Sequence, residues 1–289
     1  MNLFREKLFP HHSQIFNVDA VLHQAHTGLQ EAMVFQNRTF GRVLVLDGVV
    51  QLTEMDNHIY HETISHVPLT LHGSARRVLV IGGGDGGALR EVLKHPVDEV
   101  CLVEIDPEVT RLSRRFFPTI CGRAFEDPRV SIHVDDAVRY VAECRTYFDV
   151  VVIDSTDPGG PGEQLFSKEF YDKCRELLVS TGILVVQSGA SPHNPEQLTR
   201  VSRLLECSFG ATAPFIAPVP TYPGGMLTLV AASWSRSALK RGRRLLRQRF
   251  RHLRGNTRYY TPDIHLAAFA MASKLPLQVT QCCDPRRSK

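Results

Sequence analysis

From residue 73 onward the chain repeats one pattern: a run of Val, Ile and Leu, a loop rich in glycine or acid, then a helix. "RRVLVIGGG" leads into "GGALREVLKH", "EVCLVEID" into "PEVTRLSRRFF", and "RVSIHVDDA" into "VRYVAECR"; "YFDVVVIDSTD" leads into "SKEFYDKCRELL", and "GILVVQSG" into "PEQLTRVSRLLEC". Near-continuous apolar strands with no polar alternate face belong in a sheet covered on both sides, and strands joined through helices run parallel. These units predict a doubly wound α/β sheet. Residues 14–56 read differently, as short alternating apolar runs broken by Asn37, Gly41 and the Asp47-Gly48 pair, which predict two or three antiparallel hairpins. "NHIYHETISHVPLTL" then keeps helical spacing until Pro68, and Gly73 closes it. The expected organisation is a small hairpin domain with its connecting helix over 1–72 and the doubly wound domain over 73–289.

In open α/β sheets, ligands bind outside the carboxyl ends of the strands. At the first strand's end, Gly82, Gly83, Gly84, Gly86 and Gly87 allow a ligand close to the backbone, although any tight β-α turn tolerates glycine. Glu104, 22 residues past Gly82, ends the second strand, where an acid takes the ribose hydroxyl pair. Together they indicate a ligand containing adenosine. Asp85 inside the loop would repel a phosphate, and no G-K-[ST] follows, so a P-loop is excluded. S-adenosylmethionine and its derivatives carry adenosine, a sulfonium and an ammonium without phosphate, and suit an acid there. The alternative for Asp85 is a helix cap, and the same alternative holds for Asp135 and Asp136, which could otherwise contact adenine. Asp154 and Asp157 end the fourth strand at the same edge. So many carboxylates around one crevice raise each other's pKa and call for cationic ligands.

Charge distribution agrees. Ten Lys or Arg residues and no acid lie between Arg236 and Arg258, against a net charge of +4 for the whole chain, which leaves −6 for the rest. An acidic body suits a cationic ligand. Leu245, Leu246, Phe250 and Leu253 give the basic segment the spacing of an amphipathic helix, so nucleic acid is not the expected partner. His58, His61 and His66 fall roughly on one helical face, but there is no H-E-x-x-H, and no metal is expected. The seven cysteines form no C-x-x-C pair, no apolar run reaches the roughly 18 residues of a membrane span, and "MNLFREKLFPHH" lacks a secretory pattern. A cytoplasmic location is expected, with no membrane partner.

The motifs "FGRVLVLDGVVQLTEMD", "YHETISHVPL", "IGGGDGGALREVLKH", "VEIDPEV", "DSTDPGGPGEQLF" and "PTYPGG" occur in one order along nearly the whole chain, and "RYYTPDIHLAAFA" follows them. In these the sequence resembles the spermidine synthases, the polyamine aminopropyltransferases. The resemblance implies a Rossmann-like, methyltransferase-like fold with a small N-terminal antiparallel domain. It also implies transfer of an aminopropyl group from decarboxylated S-adenosylmethionine, a co-substrate, to putrescine, giving spermidine and methylthioadenosine. No tightly bound cofactor is expected, and a homodimer or homotetramer is.

The resemblance makes Asp154 the proton acceptor. An alkylammonium with a pKa of about 10 is protonated at pH 7, and freeing its lone pair costs roughly 4 kcal/mol, so a base is required. Asp157 would hold the diamine and Asp85 the donor's ammonium, disfavouring the carboxylate of intact S-adenosylmethionine. Gln30 and Glu104 would bind the donor, with Gly82, Gly83 and Gly84 beneath it and Asp135 with Asp136 at adenine. Tyr60, His61 and Tyr222 would line the amine channel, Pro161 the lid over the thioadenosine, and Gln187 is a further candidate. Two positions depart from the family pattern: Asp136 stands where Gly is usual, and Gly159 where a bulky apolar residue is usual. The alternatives are methyl transfer on the same fold, or another acceptor such as cadaverine or spermidine.

Overall fold

The protein is described here as a computed structural model covering residues 2–9, 11–158, 162–190 and 194–275. Pro161, Gly159 and the Cys282-Cys283 pair lie outside the described residues. The N-terminal part holds a hairpin of β1 (Asn2–Phe9) and β2 (His12–Val18), then a four-stranded antiparallel sheet of β3 (Ala20–His26), β4 (Glu31–Asn37), β5 (Gly41–Leu46) and β6 (Val49–Thr53). Asp47 and Gly48 both take positive φ, 48° and 78°, the geometry of the tight hairpin turn that Asp-Gly favours. β1 was not anticipated from the sequence, because its charged residues break the apolar alternation.

Helix α1 (Asn57–His72) leads into a seven-stranded sheet of order β12-β13-β11-β10-β7-β8-β9. Its strands are β7 (Arg77–Gly82), β8 (Glu99–Glu104), β9 (Val130–Val134), β10 (Phe148–Asp154), β11 (Leu178–Ala190), β12 (Ala211–Ala217) and β13 (Leu227–Ser233). β9, β8, β7, β10 and β11 pair in parallel, as the repeated units predict, and β13 and β12 close one side antiparallel. The connecting helices are α2 (Gly87–Val92), α3 (Pro107–Phe116), α4 (Pro118–Cys121), α5 (Ala137–Glu143), α6 (Lys168–Glu176) and α7 (Pro195–Phe209), followed by α8 (Arg243–Arg249) and α9 (Pro262–Ala272).

Strand β10 shows why the runs are apolar throughout. Val150 and Val152 join the core with α1, α2 and α9, whereas Val151 and Ile153 join the core with α5, α6 and α7. A strand sandwiched this way has no wet face. The four-stranded sheet is likewise covered twice. Val34 and Leu44 face Val109, Leu112 and Ile120 on α3 and α4, while Phe35 and Val43 face Phe16 and Val18 on the hairpin.

α1 runs through Pro68 to Gly73, the residue that the sequence marks as its close. Every side chain from Tyr60 to Leu71 is buried, and packing of the whole helix outweighs the roughly 3 kcal/mol that an interior proline costs. Gly73 ends it at φ 82°, donating its N–H to Leu69 O at 2.8 Å. The basic segment completes that end. Arg249 Nη1 donates to Thr70 O at 2.8 Å and also to Leu71 O, and Arg241 Nε reaches Leu71 O at 3.3 Å. Leu246 and Leu253 are buried beneath the segment, which forms the short α8 and a 3-10 turn over Arg251–Leu253.

Candidate active site

β7 lies between β8, which follows it in the chain, and β10, which comes two strands later, so the chain changes direction across the sheet at β7. A crevice forms at such a switch point. Asp154 at the tip of β10 is in register with Gly82 at the tip of β7. Gly82 and Gly83 take φ of 75° and 67°, and Gly83 donates its N–H to Asp154 O at 2.8 Å. A Cβ on Gly82 would stand 2.2 Å from that carbonyl oxygen, so no other residue fits. Gly84 donates to Glu104 Oε2 at 2.9 Å, and Asp106 N to Glu104 Oε1 at 2.9 Å. Burial pushes the Glu104 carboxyl up to about 7, with the charges of Asp106 and Asp85 adding and the two N–H donors opposing. Each oxygen keeps a lone pair for a ligand hydroxyl.

Asp154 is 9% exposed. Tyr60 donates its hydroxyl to Oδ1, while Oδ2 is buried without a hydrogen-bond partner among the described residues. Burial first, then the charge of Asp85, push Asp154 up to about 6, against the lowering influence of His61 and Tyr60. Beside it, His61 Nε2 lies 3.2 Å from Asp85 Oδ1, which also accepts from Gly87 N at 2.6 Å. Burial works against charge on both partners. Their mutual attraction wins, raising the imidazole and lowering the carboxyl.

Further along the cleft, Gln187 Nε2 donates to Asp157 Oδ1 at 3.1 Å, and burial raises the Asp157 carboxyl. Tyr222 donates to Gln51 O at 2.7 Å and stands edge-on to Tyr60, with ring centroids 6.3 Å apart. Gln30 donates Nε2 to Asp106 Oδ2 at 2.8 Å. Asp136 caps α5 by accepting from Val138 N at 2.7 Å, and Asp135 accepts from Arg139 Nε at 2.8 Å. Both acids therefore serve the helix and also line the cleft. The cleft gathers Gln30, Tyr60, His61, Gly82, Gly83, Gly84, Asp85, Glu104, Asp135, Asp136, Asp154, Asp157, Gln187 and Tyr222. His58, His61 and His66 do not converge: His66 Nδ1 lies 3.0 Å from His95 Nε2 and its Nε2 3.0 Å from Glu91. Donor atoms of His61, Asp85 and Asp154 instead lie within 4.8 Å of one another.

The spermine/spermidine synthase domain model matches residues 57–240, and the spermidine synthase tetramerisation domain model matches residues 3–54. The chain belongs to the spermine/spermidine synthase family. It is 45% identical over 272 residues to polyamine aminopropyltransferase 1 of Pseudomonas aeruginosa, covering 94% of this chain and 95% of that protein. To the polyamine aminopropyltransferase of a Ruegeria species it is 43% identical, covering 92% and 94%. A crystal structure of spermidine synthase in complex with the transition-state analogue AdoDATO superposes with TM-score 0.87 at 31% identity, covering 93% of this chain and 92% of that one. The spermidine synthase of Thermotoga maritima gives 0.86 at 30%, covering 93% and 91%. The protein is an enzyme, a polyamine aminopropyltransferase.

Three features of this aminopropyltransferase's site escaped the sequence reading. Glu6 on β1 is 1% exposed and lines the cleft, held by Val50 N at 2.8 Å and Gln14 Nε2 at 2.9 Å. Nothing local marks it, because only the fold turns that strand inward. Asp106 accepts from Gln30, from Thr27 Oγ1 at 2.6 Å and from Glu108 N at 3.0 Å. Its place before Pro107 is a legible helix start, although the partners from β3–β4 are not. Asp56 accepts from Thr221 N at 2.8 Å and from Thr53 Oγ1 at 2.7 Å, fixing the turn that carries Tyr222.

Proposed function

We propose that this enzyme transfers the aminopropyl group of decarboxylated S-adenosylmethionine to putrescine, forming spermidine and methylthioadenosine. The observation that carries the reading is Asp154, a buried carboxylate lining an acidic cleft, with one oxygen held by Tyr60 and the other without a hydrogen-bond partner among the described residues. In the proposed step the amine nitrogen attacks the carbon next to sulfur, the C–S bond breaks with its pair going to sulfur, and one proton leaves the nitrogen. Asp154 Oδ2 takes that proton. A carboxyl pushed up to about 6 remains ionised at pH 7 yet is a stronger base than an exposed aspartate.

Asp157 and Glu6, further along the cleft, provide negative charge for the diamine, with Tyr60, His61 and Tyr222 as walls. Asp85 takes the donor's ammonium, Glu104 the ribose hydroxyls, and Asp135 with Asp136 the adenine edge. Gln30 contacts the donor, the glycines beneath it leave room for close approach, and Pro161 belongs to the cover over the thioadenosine. Family membership favours aminopropyl over methyl transfer. The match to a tetramerisation domain supports an oligomer, a homodimer or homotetramer, and the cytoplasm is the location we propose.

Incubation with decarboxylated S-adenosylmethionine and, separately, putrescine, cadaverine and spermidine tests the reading, with products identified by mass spectrometry. Spermidine and methylthioadenosine in equal amounts are expected from putrescine. No methylthioadenosine with any amine would sink aminopropyl transfer; a longer product from cadaverine or spermidine alone would replace the acceptor.

A further inference from the structure

His61 separates two spaces. Its Nε2 faces Asp85 in the cleft, and its Nδ1 is buried without a hydrogen-bond partner among the described residues. The imidazole also lines a second, polar pocket behind the cleft, whose walls include the exposed Arg90, Asn256 and Arg258, so that pocket reaches the surface. The ring lies against the start of α2: a Cβ on Gly87 would be 2.2 Å from its Nδ1. That glycine is required for the histidine to sit in the wall at all.

Titratable groups face the ring from both sides. Asp85 from the glycine loop, Asp154 from β10 and Glu91 from α2 favour the imidazolium, and burial opposes it. On the second-pocket side stand His58 and Glu62 from α1, Glu54 before it, Arg90 and Lys94 after the loop, and Arg258 from the C-terminal segment. Glu62 is occupied by the backbone N–H groups of Arg258, Tyr259 and Tyr260 at 2.7, 2.9 and 2.7 Å, and Lys94 by Glu91 at 2.5 Å. Asp85 and Asp154 are thus the anions that favour a charged His61 from the cleft side.

A donor ammonium arriving at Asp85 would compete with the imidazolium for the same carboxylate, and two cations at one anion disfavour each other. We infer that binding of the cationic donor is exchanged for one proton at His61, which leaves through Nδ1 into the second pocket while the neutral ring keeps Nε2–H directed at Asp85. The inference rests on the donor proposed above. The exchange balances: enzyme with imidazolium plus dication gives the complex with neutral imidazole plus one proton. His61 is then a positioning residue that substitutes for the ligand's charge in the empty site. Methylthioadenosine, which has no ammonium, makes no such exchange.

Calorimetry at pH 7.5 in buffers of different ionisation enthalpy counts the protons released on binding decarboxylated S-adenosylmethionine and methylthioadenosine. Asp154, pushed up only to about 6, is already ionised there, and release from Glu104 is common to both ligands. More protons released per site are expected with the donor than with methylthioadenosine, and His61→Gln should abolish the difference. Equal counts with both ligands bound, or a difference that persists in His61→Gln, would overturn the inference. Failure of the donor to bind at all would instead sink the proposed function. Should His61→Gln fold poorly, nitrogen-15 shifts of the wild-type ring decide: loss of charge with the donor but not with methylthioadenosine supports the exchange, and no change overturns it.

Discussion

The Tyr60 hydroxyl donates to one oxygen of Asp154 and leaves the other without a partner among the described residues, so a residue of α1 aims a residue of β10 across 94 positions of sequence. That hydrogen bond also stabilises the ionised carboxylate. Tyr60→Phe should therefore raise the Asp154 pKa and move the acid limb of kcat/KM upward by about one pH unit, with a smaller loss at pH 8 than at pH 6. A pH–rate profile superimposable on the wild type would contradict this role.

Asp154→Asn should separate function from stability. Turnover is expected to fall roughly 10²- to 10⁴-fold, the usual contribution of a positioned base, with donor binding retained. The wild-type carboxyl is raised on folding from 3.8 to about 6, so its ionised form destabilises the fold. That penalty is absent below about pH 4, grows as pH rises to about 6, and is then complete at on the order of 3 kcal/mol. Urea unfolding should find the variant more stable by about 1–3 kcal/mol at pH 7.5 and the two proteins alike near pH 4.

Glu104, pushed up to about 7, makes nucleoside binding depend on pH. Ribose hydroxyls donate to the ionised carboxylate, so methylthioadenosine affinity should rise about tenfold between pH 6 and pH 8 and then level off. Glu104→Gln should bind more weakly with the slope removed, as titration calorimetry can determine.

Asp106 joins the β3–β4 turn to the sheet edge through Gln30 and Thr27 while capping α3. Asp106→Ala should lower stability by about 2 kcal/mol and raise the donor KM more than it lowers kcat. Asp106→Asn, whose single carbonyl oxygen can accept from Glu108 N but whose amide nitrogen cannot accept from Gln30 or Thr27, should recover part of the stability and little of the donor KM; full recovery of both would show that the second acceptor oxygen is not needed.

Gly82→Ala should abolish activity or folding, because the added Cβ would meet Asp154 O at 2.2 Å and the backbone φ is 75°. Gly48, also at positive φ but with nothing within 4 Å of an added Cβ, provides the control: Gly48→Ala should lose only about 1 kcal/mol and retain turnover. Comparable damage at both positions would show that backbone conformation alone, without the contact, sets the requirement.

The parallel strands, the glycine turn and the acids at the strand ends were legible because each is local: a two-sided strand is apolar throughout, and a strand-end carboxylate follows directly after it. The end of α1 at Gly73 was legible, but what carries the helix past Pro68 was not, because that packing comes from distant strands. Glu6 was invisible for the same reason, since inward and outward positions on β1 differ only by what covers them.

By itself, then, the sequence determined the doubly wound sheet, the cleft edge and the identity of Gly82, Asp85, Glu104, Asp154 and Asp157, all written in short-range periodicity and spacing. Tertiary structure alone decided that Tyr60 holds Asp154, that His61 stands between two pockets, that Asp106 holds Gln30, and that Glu6 enters the cleft. Those pairings join residues from separate elements, and their charge states follow from burial and neighbouring charge, which exist only once the chain is folded.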